Sequence, residues 1–370
     1  MAEPFKNRFS ESLIRKLAKR ILEEAKGFPE KKFLKAALKD LDSLELKERV
    51  KRIAEALGEH MPGSFRENVL ILLKVKSALG SLPGIVFPAY VALFGVNDKD
   101  FDFSLSALEE FTKGSSAEFG IRPFIEFDPN RAMKHVERFA KSQDEEVRRL
   151  SSEGIRPRLP WGGNLQCFIE DPLPILAILE TLLDDSSQYV RKSVANNLND
   201  ISKDNPDLVV SFIEEHIGRG KDSDWILERG ARTLLKNKNK RAMDFFGYAK
   251  GAAVAKSLES ASFSVSPKVL HLGDALEASF CLKFTKQLRG RLRLEYRVMH
   301  MAKNNLKSGK LFFFKEMTVG ASGCLTGKKR IRFKDYSIRK QTLGAHKLLF
   351  FLNGLELEGD TDFKIVGGKG

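Results

Sequence analysis

Apolar residues in the first two-thirds of the chain fall three and four positions apart. Leu13, Ile14, Leu17, Ile21 and Leu22 make one such stripe, and Leu44, Val50, Ile53, Ala54 and Leu57 make another. That spacing puts each set on one face of a helix. Proline and glycine clusters at 27–29, 61–63, 82–84, 128–129, 171–172 and 205–206 punctuate the stripes, as helix ends do. From Ser262 the period changes to two. Phe263-Ser-Val-Ser, Leu270-His-Leu, Leu276 to Phe284, Arg291 to Val298, Lys310 to Phe314 and Lys347 to Leu352 alternate or run apolar, with Gly, Asn and Lys turns between them. Such a series predicts an antiparallel β-sandwich of immunoglobulin-like or fibronectin-like class. Small residues at 255–262 read as a linker, which sets the expected domains at 1–255 and 262–370.

The helical part repeats itself. Asp144-Glu-Glu-Val147-Arg148-Arg149 returns as Ser187-Gln-Tyr-Val190-Arg191-Lys192 and, more weakly, as Asp224-Trp-Ile-Leu227-Glu-Arg229, roughly 40 residues apart each time. Glu48-Arg-Val50-Lys51-Arg52 is a looser, earlier copy. A polar residue followed by Val-Arg, in the second helix of a pair at this period, is the pattern of HEAT repeats. Each pair buries one face against its neighbours, so the stack curves and offers a concave surface. The fold class is therefore multidomain α plus β: an all-α HEAT-like solenoid followed by an immunoglobulin-like sandwich.

Charge changes the picture most. The net charge is +14, and from Lys256 onward 22 lysines and arginines face 10 acids, so +12 of it lies in the last third. A field of that sign attracts a polyanion and has little to do with folding. Arg289-Gly-Arg291-Leu-Arg293 and Lys328-Lys329-Arg330-Ile-Arg332 alternate charge along strands, which predicts a shared basic face built from Arg291, Arg293, Lys329 and Arg330. No run of about 18 uncharged apolar residues exists, so no membrane span is expected. The first residues lack a secretory pattern, which makes the expected location the cytoplasm, beside nucleoid DNA. Three cysteines form no disulfide framework, and no histidine pairs with a cysteine or a second histidine at ligand spacing. No metal is expected.

Three segments carry a specific likeness: Ala117 to Phe124, Glu145 to Trp161, and Val190 to Pro206. In them the chain resembles the AlkC branch of the AlkC/AlkD superfamily, the HEAT-like-repeat DNA alkylation-repair glycosylases. The sandwich resembles an extra domain that only some AlkC proteins carry. The resemblance implies a cofactor-free monomer acting on double-stranded DNA that contains alkylated bases. It would hydrolyse the N-glycosidic bond of cationic N-alkylated bases, 3-methyladenine foremost and 3-methylcytosine in this branch, without flipping the base. A base methylated at N3 is already a cation and leaves as a neutral molecule, so no general acid is needed. What remains costly is the oxocarbenium-like sugar, which a fixed carboxylate stabilises while orienting water.

Glu118 and Glu153 are the acids that suit this role. Each opens a Glu-X-Gly-Ile-Arg-Pro motif or its close variant, and consecutive repeats should present both on one surface. Asp200 is either a third acid or a helix cap. Arg149, Arg156, Arg158, Arg191, Lys192 and Lys203 are candidate phosphate ligands. Arg191, like Arg148, fits equally well as a HEAT arginine that ties one repeat to the next. Trp161 follows Leu-Pro and precedes Gly-Gly, so it belongs to a loop. There it either packs on deoxyribose or a base, or plugs the space between repeats. Trp225 reads as core. Leu82-Pro-Gly-Ile-Val-Phe-Pro88 superficially resembles a helix-hairpin-helix turn, but Val86 replaces the second glycine and Pro88 should break the helix that follows. The rival function is a non-catalytic HEAT scaffold that binds DNA or protein.

Overall fold

In the computed structural model, which describes residues 4–285, 288–302, 305–335 and 340–367, the chain divides into compact units at Met1–Thr233 and Leu234–Gly370. The first is helical, beginning with α1 (Glu11–Glu24), α2 (Glu30–Ala37), α3 (Leu46–His60), α4 (Phe65–Val75), α5 (Val86–Phe94), α6 (Phe101–Thr112) and α7 (Arg122–Phe127). Helix pairs follow: α8 (Pro129–Ala140) with α9 (Glu145–Glu153), then, after the short α10 (Gln166–Glu170), α11 (Leu173–Thr181) with α12 (Gln188–Asp204), and α13 (Pro206–His216) with α14 (Lys221–Gly230).

The sequence repeat marks the second helix of each pair. Asp144 caps α9 by accepting from the backbone N of Glu146 and Val147, and Ser187 caps α12 by accepting from Tyr189 N. Each cap satisfies amides that the first turn leaves without partners. The third copy is out of phase, because α14 starts at Lys221 with Gly220 as its cap, which leaves Asp224 inside the helix. In that setting Trp225 is 36% exposed, with Arg229 over its ring at 5.4 Å, and is not the core residue expected. Helices α9, α12 and α14 pack side by side through Val147, Leu150, Val190, Val194, Leu198, Ile226 and Leu227, all fully buried. The Val-Arg arginines tie neighbouring repeats. Arg148 donates from Nε to Asp185 Oδ2 at 2.6 Å, and Arg191 lies 3.2 Å from Asp222 while donating to the carbonyls of Asp185 and Ser186. Pro88 does not break its helix. It sits third in α5, where the amide it lacks has no helical acceptor anyway.

Unit 2 opens with helices. Helix α15 (Arg232–Lys236) spans the division, α16 (Lys240–Phe245) follows, and α17 (Gly251–Ser257) runs directly into β1 (Leu258–Ser266). The linker expected at 255–262 is therefore helix and strand. The remaining strands are β2 (Val269–His271), β3 (Ala275–Phe284), β4 (Arg291–Ala302), β5 (Asn305–Thr318), β6 (Cys324–Arg332), β7 (Gly344–Leu352), β8 (Leu355–Leu357) and β9 (Asp362–Val366). One sheet has the order β1-β3-β6. The other has β2-β9-β7-β4-β5, with β8 on β7. Pairing is antiparallel except for β2 with β9, which is parallel and departs from the all-antiparallel expectation. The alternating apolar residues meet between the sheets, where Phe263 stacks on Phe350 at 4.2 Å and Phe280 meets Phe314 edge-on at 5.7 Å.

The stretch 234–257 belongs with this sheet because its main chain is bonded to it. Arg291 N donates to Gly247 O at 2.7 Å, Ala249 N donates to Arg291 O at 3.0 Å, and Asn353 Nδ2 donates to Ala249 O at 2.7 Å. Buried amides require partners, and here the strands supply them. The compact boundary thus falls near Thr233, upstream of the composition change at 255.

Candidate active site

Both motif copies end in one cavity of unit 1, about 740 Å³ in volume, which includes Glu118, Glu153 and Trp161 in its walls. They reach it differently. Glu118 lies in the turn before α7, whereas Glu153 is the last residue of α9. The shared glycines explain why the motif recurs. A Cβ on Gly154 would stand 2.6 Å from Ile121 Cγ2, and one on Gly120 would stand 2.9 Å from Pro88 Cβ and its carbonyl oxygen. Only glycine permits these approaches; the first brings the two segments together, and the second seats the earlier one against α5.

The motif arginines are spent on assembly. Arg122, buried, donates to the carbonyls of Gly154 at 3.1 Å, Arg156 at 2.8 Å and Gly163. Burial pulls its pKa down to about 10, with Glu126 opposing. Arg156, also buried, donates from Nη1 to Glu153 Oε1 at 2.6 Å and from Nε to Asp200 Oδ2 at 2.7 Å. Burial alone would lower its pKa, but Glu153 and Asp200 outweigh that and hold it above the ordinary arginine value.

Arg149 bridges the two acids. Its Nη1 donates to Glu118 Oε2 and to Ser116 Oγ (2.9 Å), Nη2 stands 3.6 Å from Glu153 Oε1, and the guanidinium lies over the Tyr189 ring at 5.1 Å. Burial works against its charge, yet the two glutamates more than compensate and raise its pKa. Continuing through Asp200, whose Oδ1 accepts from Lys203 Nζ at 2.6 Å, the charges alternate: Glu118, Arg149, Glu153, Arg156, Asp200, Lys203. This ladder crosses from the turn before α7 through α9 to α12, so three consecutive segments fix one another's ionised side chains.

Asp200 is neither of the things the sequence suggested. It is 1% exposed, absent from the cavity wall, and lies mid-helix in α12, away from any cap. It reaches the site only through Arg156. Arg158 is held by both oxygens of Asp204, at 2.6 and 2.7 Å. Lys192 is exposed and bonded to Gln188 Oε1 at 3.2 Å, and Lys203 is half-exposed. Arg191 is a repeat tie, as described above. Trp161 does not plug the repeats: it is 64% exposed with φ +63°. Gly162 N bonds to Leu159 O at 3.0 Å, closing a turn with Pro160 and Trp161 at its centre. Proline second and φ above zero third is the type II pattern, whose third place normally takes glycine. A tryptophan held there is strained by roughly 1–3 kcal/mol, a cost concentrated at functional sites.

The basic strands divide against expectation. In β6, Lys328, Arg330 and Arg332 share the exposed face. Lys329 points the other way, its Nζ bonded to Phe313 O at 2.7 Å and near the rings of Tyr296, Phe313 and Phe314, where burial lowers its pKa. A two-residue period puts neighbours 329 and 330 on opposite faces. In β4, Arg291 and Arg293 bond Glu316 at 2.8 and 3.3 Å, and Arg293 also holds the buried Glu295 at 3.0 Å. Burial pushes the Glu295 carboxyl up, with Arg293 opposing. Of the four expected basic-face residues, Arg330 alone is exposed.

Sequence reasoning missed residues in the wall of the same cavity. Lys47 and Lys51 on α3 line the cavity with Leu46 and Val50, and Lys47 Nζ lies 5.6 Å from the centre of the Phe119 ring. The i, i+4 spacing of 46/50 and 47/51 was a readable signal for a mixed apolar and basic stripe. Ser193, whose hydroxyl donates to Glu153 Oε2 at 2.7 Å, had none. A second cavity, about 510 Å³, surrounds Arg49 near the N-terminus, where that guanidinium is consumed by main-chain carbonyls. Among the described residues no group of three or more His, Cys, Asp or Glu is placed to hold a metal, and no helix is long and apolar enough to cross a membrane.

Comparison with known proteins converges on one group. A model of the DNA alkylation repair enzyme family matches residues 99–233, and one for the C-terminal Ig-like domain of YhaZ matches residues 259–367. The uncharacterized protein YhaZ of Bacillus subtilis (strain 168) is 35% identical over 358 residues, covering 96% of this chain and 98% of its own length. The solved structure of Pseudomonas fluorescens alkylpurine DNA glycosylase AlkC, bound to DNA containing an abasic site analog, shares 32% identity. It aligns with a TM-score of 0.88 over 98% of this chain and 100% of that one.

Proposed function

The chain belongs to the family of the alkylpurine DNA glycosylase AlkC, and from that premise we propose that it hydrolyses the N-glycosidic bond of cationic N-alkylated bases in double-stranded DNA. One observation carries the reading. Glu118 and Glu153 line a single cavity and are both held by Arg149. A leaving group that is already cationic needs no proton, so the site has only to stabilise positive charge on the sugar and aim a water. Glu118, the more exposed of the two, faces the sugar and the water. Glu153, held by Arg156 and Ser193, supplies fixed negative potential. Trp161 packs on deoxyribose or a neighbouring base, and Lys47 and Lys51 take phosphates at the rim of the same cavity. Lys192 and Arg330, both exposed, are the remaining phosphate candidates, whereas Arg149 is taken up by the two acids, and 3-methyladenine is the foremost substrate, with 3-methylcytosine second.

The rival reading, a DNA-binding scaffold without chemistry, draws on the same ladder, since each acid already has a basic partner. Release decides between them. The protein is incubated with methylated duplex DNA and with a uracil-containing duplex, and free bases are separated by chromatography. The proposal expects methylated base from the first and nothing from the second. Binding without release favours the scaffold, and robust uracil release shows a leaving-group activation that this site is argued not to need.

A further inference from the structure

The Glu153 carboxylate is held from two sides by different kinds of donor. On one side Arg156 donates to Oε1 at 2.6 Å, with Arg149 3.6 Å from the same oxygen. On the other, the Ser193 hydroxyl donates to Oε2 at 2.7 Å. Ser193 is 2% exposed and comes from α12, the neighbouring repeat, whereas Glu153 ends α9. Its oxygen lies 2.7 Å from Ser152 Oγ, so with its own proton on Glu153 it can accept from Ser152, in a short hydroxyl chain.

Two physical arguments give this bond a purpose. The last residue of a helix sits where the dipole disfavours an anion, so Glu153 depends on donors from outside α9. A carboxylate beside two guanidiniums also tends to turn both oxygens to them, because paired N–H donors bind it best. A neutral hydroxyl on Oε2 opposes that rotation. We propose that Ser193 is a positioning residue: it keeps Oε2 from closing onto the arginines and so fixes the direction in which Glu153 presents its charge. The inference rests on the glycosylase reading above.

The test uses the full chain carrying Ser193→Ala, which removes one buried oxygen and keeps a good helix former. Single-turnover release of methylated base should fall about tenfold at neutral pH, as for one lost charge-assisted hydrogen bond. Ser193→Thr, which keeps the hydroxyl, should recover most of the lost rate. DNA affinity should stay within about twofold of wild type. Ser152→Ala, equally buried but one bond farther from the carboxylate, removes only the donor to the Ser193 hydroxyl and should slow release much less. Release unchanged in Ser193→Ala, equally slowed in Ser193→Ala and Ser152→Ala, or not recovered by Ser193→Thr, overturns the proposal.

A thermal double-mutant cycle reads the same bond without activity. Ser193→Ala should lower the melting temperature by roughly 3–6 °C in the wild-type background and by much less in Glu153→Met, which offers the hydroxyl no acceptor. Equal losses in the two backgrounds overturn the hydrogen bond itself. Coupling without any release by the wild type sinks the glycosylase reading and reduces Ser193 to a structural tie, which overturns the positioning role as well.

Discussion

Replacing Asp200 by asparagine separates a catalytic acid from a buried support. The side chain is 1% exposed and holds two cations, Arg156 Nε at 2.7 Å and Lys203 Nζ at 2.6 Å. Breaking a buried pair costs about 3–5 kcal/mol when the partner is stranded. Here neither partner is stranded. Arg156 keeps Glu153 at 2.6 Å, and the Lys203 side chain is 40% exposed and can turn to water. The expected cost is therefore lower, about 2–3 kcal/mol, near that of one or two charged hydrogen bonds. For a unit of this size that is a fall of roughly 5–10 °C in melting temperature. Base release should fall on the order of tenfold, because Arg156 still holds Glu153 but is itself less firmly held. Glu153→Gln and Glu118→Gln, which remove groups in the cavity wall, should instead lose ~10²–10³ in rate. Single-turnover release and calorimetric melting of the three variants make the comparison. If Asp200→Asn loses release as deeply as Glu153→Gln and melts like the wild type, Asp200 touches the substrate and the supporting role is wrong.

Other expectations can be checked one at a time. Trp161→Gly should raise stability by about 1 kcal/mol by relieving φ +63°, yet weaken DNA binding or release roughly tenfold through lost stacking; a variant that is no more stable and fully active contradicts both halves. The double variant Lys47→Ala, Lys51→Ala should make the salt dependence of DNA binding shallower by ~0.9 per phosphate contact, ~1.8 in all, and an unchanged slope removes them from the interface. His346, buried against Phe363 at 5.3 Å, has its pKa lowered by burial, so the folded state stays neutral while the unfolded chain takes up a proton. Stability should therefore be lost as pH falls below about 6.5, and His346→Phe should flatten that loss in melts between pH 7.5 and 5.5. Equal losses in wild type and variant would count against it.

What could be read from the sequence was whatever periodicity and local chemistry encode. The caps Asp144 and Ser187 marked the second helices, because a capping side chain acts within its own turn. The change from helical to two-residue period separated the helical and strand-bearing parts of the chain. Failures came where the deciding contact was distant in sequence. Nothing near Asp200 announces that Arg156 will occupy it, and nothing near Ser193 points to Glu153, 40 residues earlier. Lys329 and Arg330 looked alike as a basic pair, but the pleat sends one onto the Phe313 carbonyl and the other outward. The parallel β2–β9 pair was invisible for the same reason, since its partners are nearly a hundred residues apart.

The bonding of residues 234–257 to the strands bears on how the sheet domain can be transplanted. A fusion that begins at Ser262, where composition suggests a start, cuts β1 short and discards the main chain that Arg291 N and Asn353 Nδ2 bond to. Arg291 N would then lose its main-chain acceptor and Asn353 Nδ2 would keep only Arg291 O, so the part of the sheet that this segment covers would be laid open. The portable piece begins at Arg232, just upstream of the division, so that α15 stays whole. Chimeras joined there carry the sheet with its own helical preface, and recombination within the preface would be selected against even though the chain at its end, from 255, reads as a linker.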